Sequence, residues 1–515
     1  MVPRSFPSQP KSPPSTRWRA GAAAALVAAL LAAPAAHAQV RLPTLGDGLE
    51  MTAGAERRLG ERIVRELYRD PDYLDDPALH EYVMGIFEPL HAAARARGEL
   101  SLELEERFAW ELLLGRDRSV NAFALPGGYF GLHLGLVAVV ATPDELASVL
   151  AHELSHATQR HISRLVAQQD RVTPLVIGSM ILGALAASRS PDAAQALMVG
   201  GQALAVQNQL NFSRDMEREA DRIGYGLMAP AGFAPQGFVA MFDKLQQANR
   251  INDNGSWPYL RSHPLTTQRL ADMQARIAHD TPQPRPAPLE HALMAARARV
   301  LMRPGVDAWR QWMAEPQDAG FAARPRPERA AAGYAAALSA LQLGDWQAAR
   351  TALQQLQETV RGDSAAERQV RLLGAELELA AGMPAAALAF LDHGPKPDRR
   401  PELLLRTQAL LASGGDAAPM ADALQTWVTT HPRDAAAWQL LAQVWQRQGQ
   451  PLRAVRAEAE AQVARYDYAA AVDRFKAGQD LARRGRAAAD HIEASIIDTR
   501  LRAVESLLRE QAAER

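Results

Sequence analysis

Ala151-His152-Glu153-Leu154-Ser155-His156-Ala157 reads His-Glu-x-x-His. On an α-helix, residues four apart share a face. His152 and His156 would then offer two imidazoles to one metal ion, with Glu153 beside them to take a proton from water. The spacing alone is a weak signal, and the flanks add to it. Thr142-Pro143-Asp144-Glu145 has the chemistry of a helix start: Thr142 to cap, Pro143 at the first helical position, Glu145 to complete a capping box. Leu146, Val149 and Leu150 then recur at helical spacing. The competing reading is a surface helix that carries two histidines.

A metal held in this way needs a third ligand, which in the gluzincin arrangement is a Glu from a separate helix. Asn211-Phe212-Ser213-Arg214-Asp215-Met216-Glu217-Arg218-Glu219-Ala220-Asp221 offers one. Met216, Ala220, Ile223 and Leu227 form an apolar stripe, and Glu217 and Asp221 lie four apart on the stripe beside it. Glu217 can reach the metal while Asp221 holds a ligating His from behind. Glu219 points elsewhere on the helix. Taken alone, the segment also reads as a solvated charged helix. His161 is off the ligand stripe and is expected to cap or hydrogen-bond within the fold.

Upstream, Asn121 to Val137 reads as two short strands joined at Gly127-Gly128, the second feeding the next helix. Asn121, Ala122, Phe123 and Ala124 form either an edge to which an extended peptide adds as another strand or one arm of a core hairpin. Downstream, Leu260-Arg261-Ser262-His263-Pro264-Leu265 sets His263 on a loop that the proline keeps from continuing a helix. His263 either occupies the open metal position and holds the site latent, or is a structural residue at a helix start.

Together, Asn121-Ala-Phe-Ala, His152-Glu-Leu-Ser-His156, Ser213-Arg214, Glu217-x-x-Ala-Asp221 and Ser262-His263-Pro264 resemble the membrane-associated gluzincin peptidases that include HtpX and the CAAX prenyl proteases. The resemblance covers roughly residues 50 to 280 and makes Glu217, not Glu219, the third zinc ligand. The chain departs from those relatives in lacking multiple transmembrane helices and looks like an exported branch.

The rest of the 515 residues fits that reading. Arg4, Lys11, Arg17 and Arg19 precede an apolar run, Ala20 to Ala33, and Ala36-His37-Ala38 is a small-residue cleavage site. Residues 1–38 are therefore expected to be a signal peptide rather than an anchor. There is no cysteine, so the chain has neither disulfides nor a thiolate ligand. A net charge of -1 provides no field for nucleic acid. Residues 39–114 read mostly helical, with a strand possible after Phe108. Leu175 to Ala187 is apolar but shorter than a membrane span. With Ala193 to Leu210 it reads as a buried helical hairpin or as a flap touching membrane or partner. Proline-rich stretches at 281–288 and 324–327 bracket a helical connector. Beyond them, Gly344, Gly382 and Gly449 are each followed five residues later by Ala, and Pro432, Trp438, Leu441, Ala442 and Trp445 fit a tetratricopeptide repeat.

The expected fold is mainly α. A gluzincin domain (39–280), with helices and a small sheet, is followed by a connector (281–327) and an α-solenoid of tetratricopeptide repeats (328–515). The expected cofactor is one Zn²⁺ on His152, His156 and Glu217, with Glu153 and Asp221 as catalytic residues. The whole arrangement resembles the periplasmic peptidases of outer-membrane quality control. That resemblance implies stalled β-barrel proteins as clients, docking to the β-barrel assembly machinery through the repeats, and peripheral membrane contact. The rival is a non-proteolytic chaperone or scaffold with a latent metal site. A soluble prenyl-protein peptidase fits poorly, because export removes it from prenylated substrates.

Overall fold

The computed structural model describes residues 51–167, 213–250, 257–277, 288–392, 399–484 and 490–513. The expected signal peptide, the two apolar segments at 175–187 and 193–210, and the proline run up to residue 287 lie outside the described residues. The chain is mainly α with one small sheet and continues into helical hairpins.

Helix α1 (Ala53–Arg69) is followed by strand β1 (Tyr73–Leu74), α2 (Pro77–Ala96), α3 (Leu102–Arg107) and β2 (Glu111–Gly115). The run after Phe108 thus becomes a strand only from Glu111. Strands β3 (Ala122–Leu125) and β4 (Tyr129–His133) are antiparallel across Gly127-Gly128, and β4 runs directly into α4 (Leu134–Val139). The strand order β1-β2-β4-β3 leaves β3 at an edge, with β2 and β4 paired in parallel. Helix α5 (Pro143–Thr158) and α6 (His161–Ala167) follow, then α7 (Arg214–Met228), α8 (Gln236–Arg250), the single turn α9 (Tyr259–Ser262) and α10 (Thr267–Ile277). Helix α5 is buried from Glu145 to Thr158, so it is the centre of its domain rather than an amphipathic surface helix. α2, α7, α8 and β3 pack around it.

At the histidine turn the neighbour is α7. A Cβ on Gly224 would lie 3.1 Å from the backbone of Ala151 and His152, so the missing side chain lets the two helices come together at the histidine turn. Met216, Ala220, Ile223 and Leu227 are all buried along this contact.

The connector is two helices, α11 (Leu289–Leu301) and α12 (Val306–Ala314), parted near Gly305. Among the described residues five helical hairpins follow, beginning at Arg326, Ser364, Arg400, Ala435 and Tyr468. Gly344, Gly382 and Gly449 take left-handed φ values of 72°, 73° and 68° at the hairpin turns, which a side chain would resist. Ala349, Ala387 and Ala454 are fully buried, as helix approach requires. The core is continuous from α2 and α5 through α11 into the first hairpins. Near the other end of the stack, Tyr466 and Phe475 pack with Leu59, Ile63 and Tyr129. Among the described residues, no helix is long and apolar enough to cross a membrane.

Candidate metal centre

Helix α5 starts as its sequence directs. Thr142 Oγ1 accepts from Glu145 N at 3.2 Å. Glu145 Oε2 reaches back to Ala141 N at 2.7 Å, one residue before the position a capping box uses. The helix then delivers His152 and His156 to one buried point.

Their Nε2 atoms lie 3.0 Å apart. Glu217 approaches from α7, with Oε2 at 3.5 Å from His152 Nε2 and Oε1 at 3.4 Å from His156 Nε2. His263, capping α9, places Nδ1 at 3.0 Å from Glu217 Oε1 and 3.3 Å from His152 Nε2. One donor atom from each of these four residues falls within 4.8 Å of the others. A tetrahedral ion about 2.0–2.1 Å from its ligands needs donors roughly 3.4 Å apart, so the spacing fits. Two oxygens in this buried cluster also have no hydrogen-bond partner, Glu153 Oε1 and Glu217 Oε2. Arg269 Nη1 stands 2.8 Å from Glu217 Oε2 but without hydrogen-bond geometry. Acceptors left this way in a dry site are suited to a cation.

Each histidine is braced from behind. His152 Nδ1 lies 2.9 Å from Asp221 Oδ1. Asp221 is gripped in turn by Arg269, through Nε at 2.6 Å and Nη2 at 2.8 Å. His156 Nδ1 lies 2.8 Å from His161 Nδ1, whose Nε2 is 3.1 Å from Glu219 Oε2. Arg164 Nη1 donates to the same oxygen at 2.8 Å. No sequence pattern singles out Arg269. It placed His161 within the fold without naming its partners, and Glu219, off the Glu217 stripe, ends at His161. The turn that folds His161 back runs through Arg160, which adopts a left-handed φ of 52° and is held by Glu56 at 3.0 Å.

Electrostatics divide the groups. Burial depresses His152, but hydrogen bonds to Asp221 and Glu217 outweigh it and push the imidazole up to about 9. Burial holds His156 well below the usual imidazole range and His161 at about 4. For Glu217 burial is outweighed by His263, His152 and His156, which keep it well below the usual carboxylate range. Glu153 goes the other way, raised chiefly by burial.

Strand β3 abuts the cluster through Ala124, whose N–H donates to Glu153 Oε2 at 2.9 Å. His133 N donates to Asn121 O at 3.0 Å, so Asn121 and Phe123 belong to the hydrogen-bonded pairs with β4. By alternation, Ala122 and Ala124 turn their backbone groups to the open edge. Asn121 is buried, and its Oδ1 has no hydrogen-bond partner. The α9 turn sits beside this strand, with Tyr259 N donating to Val120 O at 3.4 Å and the Tyr259 ring stacked on His263 at 4.5 Å.

A helical domain with a small sheet and a buried His-Glu-x-x-His cluster joined by a Glu from a second helix defines a metallopeptidase. Residues 90–277 match peptidase family M48. The chain is 34% identical over 290 residues to the putative beta-barrel assembly-enhancing protease of Vibrio cholerae serotype O1, covering 55% of this chain and 57% of that protein. It is 30% identical over 419 residues to the beta-barrel assembly-enhancing protease of Yersinia pestis, covering 80% and 82%. Mitochondrial metalloendopeptidase OMA1 of Arabidopsis thaliana is 29% identical over 207 residues, 40% of this chain and 37% of that one. The chain belongs to the beta-barrel assembly-enhancing protease family of M48 metalloproteases.

Proposed function

We propose that the chain is an exported zinc metalloendopeptidase of outer-membrane protein quality control, which degrades stalled β-barrel proteins or assists their assembly. Residues 39–280 are the catalytic unit in this reading, and residues 328–515 are tetratricopeptide repeats that dock clients or the assembly machinery, with peripheral membrane contact. The assignment of β-barrel clients rests on the relatives, and that of the periplasm on the signal-peptide reading of residues 1–38. The observation that carries the chemistry is the buried four-residue donor cluster, in and beside which two carboxylate oxygens have no hydrogen-bond partner. Two imidazoles and a carboxylate, with no thiolate in the chain, suit zinc.

His152, His156 and Glu217 hold the ion, and Asp221 fixes the orientation of His152. Bound zinc supplies Lewis acidity and lowers the pKa of water to about 7. Glu153 is oriented by the Ala124 N–H, which engages Oε2 and leaves Oε1 to take a proton from water and return it to the departing amine. The upward shift of Glu153 suits that shuttle. The Ala122 backbone and the Ala124 carbonyl, which face away from β4, pair with the backbone of an extended substrate and set its carbonyl beside the cluster, while the Ala124 N–H stays on Glu153.

His263 is a gate in this reading. Its Nδ1 stands among the donor atoms, and its Nε2 is 3.4 Å from Glu153 Oε1, between the base and the place where water would bind. The resting site is latent until the α9 loop moves.

Casein cleavage by the mature protein tests both ideas. Glu153→Gln is expected to lower cleavage by roughly 10²- to 10⁴-fold with zinc retained. His263→Ala is expected to cleave faster than wild type. Undiminished cleavage by Glu153→Gln would remove the proposed base, and unchanged cleavage by His263→Ala would remove the gate.

A further inference from the structure

The second brace, behind His156, has no role in the mechanism above. It is built like the first. Asp221 with Arg269 stands behind His152, and His161 with Glu219 and Arg164 stands behind His156. One helix, α7, supplies Glu217 to the cluster and a carboxylate to each brace.

The hydrogen bookkeeping of the second brace closes in only one direction. For His156 to offer the Nε2 lone pair to a cation, its proton must sit on Nδ1. His161 Nδ1 stands 2.8 Å from that nitrogen. To accept, His161 must carry its own proton on Nε2, and that proton meets Glu219 Oε2 at 3.1 Å. The carboxylate is kept ionised by Arg164 at 2.8 Å. Both imidazoles are then neutral, and every link has one donor and one acceptor. Reversing any link removes the lone pair from His156 Nε2 or sets two protons against each other. Each brace is also close to charge-neutral, Asp221 against Arg269 and Glu219 against Arg164.

We propose that His161 and Glu219 are positioning residues that lock His156 in its metal-binding tautomer and orientation, the counterpart of Asp221 behind His152. The proposal rests on the metal reading above. It differs from a packing role because it requires an acceptor at His161 Nδ1 and an acceptor at residue 219, not merely bulk. Orienting partners of this kind affect metal affinity directly.

The test is zinc affinity by chelator competition on the full mature chain, with metal-free thermal unfolding measured alongside. His161→Phe fills the same space without an acceptor. Glu219→Ala is the second variant because Glu219 is part-exposed, its side chain 28% accessible, and its loss does not open the core. Both are expected to weaken zinc binding by roughly 10- to 100-fold. Glu219→Gln, which keeps an acceptor oxygen, is expected to recover most of that loss. Metal-free unfolding of Glu219→Ala is expected to match wild type. If wild type binds zinc and Glu219→Ala binds it equally well, the proposal is overturned and the metal site stands. If wild type takes up no zinc, both fall.

Discussion

Two buried ionic clusters in this chain use the same kinds of side chain and differ in how they close. At the junction of the peptidase core with the connector and first hairpins, Arg297 is buried between Asp76 and Glu376. Its Nη2 donates to Asp76 at 2.7 Å and to Glu376 at 2.8 Å, its Nε to Asp76 at 2.9 Å, and its Nη1 to the Tyr334 hydroxyl at 2.9 Å. None of these residues has a buried polar atom without a hydrogen-bond partner. The cluster around His152, His156 and Glu217 is equally dry, yet Glu153 Oε1 and Glu217 Oε2 remain without one. A closed network rigidifies the fold, whereas an open one keeps lone pairs in reserve for a ligand. Buried charge marks both regions, and among the described residues the buried carboxylate oxygens without a hydrogen-bond partner are at the site.

The contrast can be broken at either cluster. Arg297→Met removes the single cation from a closed network and strands the buried Asp76 and the part-buried Glu376. The expected cost is about 3–5 kcal/mol of stability, read by denaturant unfolding. A loss near zero would mean that the junction is not cross-braced. At the open cluster the larger signal is in binding. Without metal, the His152 imidazole keeps its proton up to about 9, while a ligating imidazole must be neutral. His156 is already neutral because its pKa is depressed. Zinc uptake near neutral pH therefore displaces about one proton, and affinity is expected to rise about tenfold per pH unit up to pH ~9. Isothermal titration in buffers of different ionisation enthalpy measures that proton, and a pH-independent affinity would contradict the assignment. The smallest effect belongs to the surface. Arg69 and Asp467 pair at 3.2 Å with both side chains part-exposed. Arg69→Ala is expected to change stability by only about 0–1 kcal/mol. A larger loss would show that exposed pairs, and not the closed core network, hold the hairpins to the peptidase core.

What the sequence disclosed follows the same division. Periodicity within one element was readable: the α5 cap and its histidine pair, the buried stripe of α7 with Glu217 and Asp221 beside it, the β3–β4 hairpin, and the glycine–alanine punctuation of the helical hairpins. Each of these is encoded within a few residues by helix or strand geometry. Pairings made by the tertiary fold were not readable. Asp76 and Arg297 are 221 positions apart, and nothing local links them. The parallel β2–β4 pairing, the grip of Arg269 on Asp221, and the His161–Glu219 brace depend likewise on how elements are brought together. His161 lies five residues after His156, where helical spacing alone would not make them partners, and the left-handed turn at Arg160 reverses that expectation.

The most direct test of the account is metal stoichiometry by elemental analysis of the purified mature protein, with Glu217→Ala and Arg297→Met beside it. The account predicts one zinc per chain in wild type, loss of zinc in Glu217→Ala, and full retention in folded Arg297→Met. Full zinc retention in Glu217→Ala, or a wild type that takes up none, would contradict it.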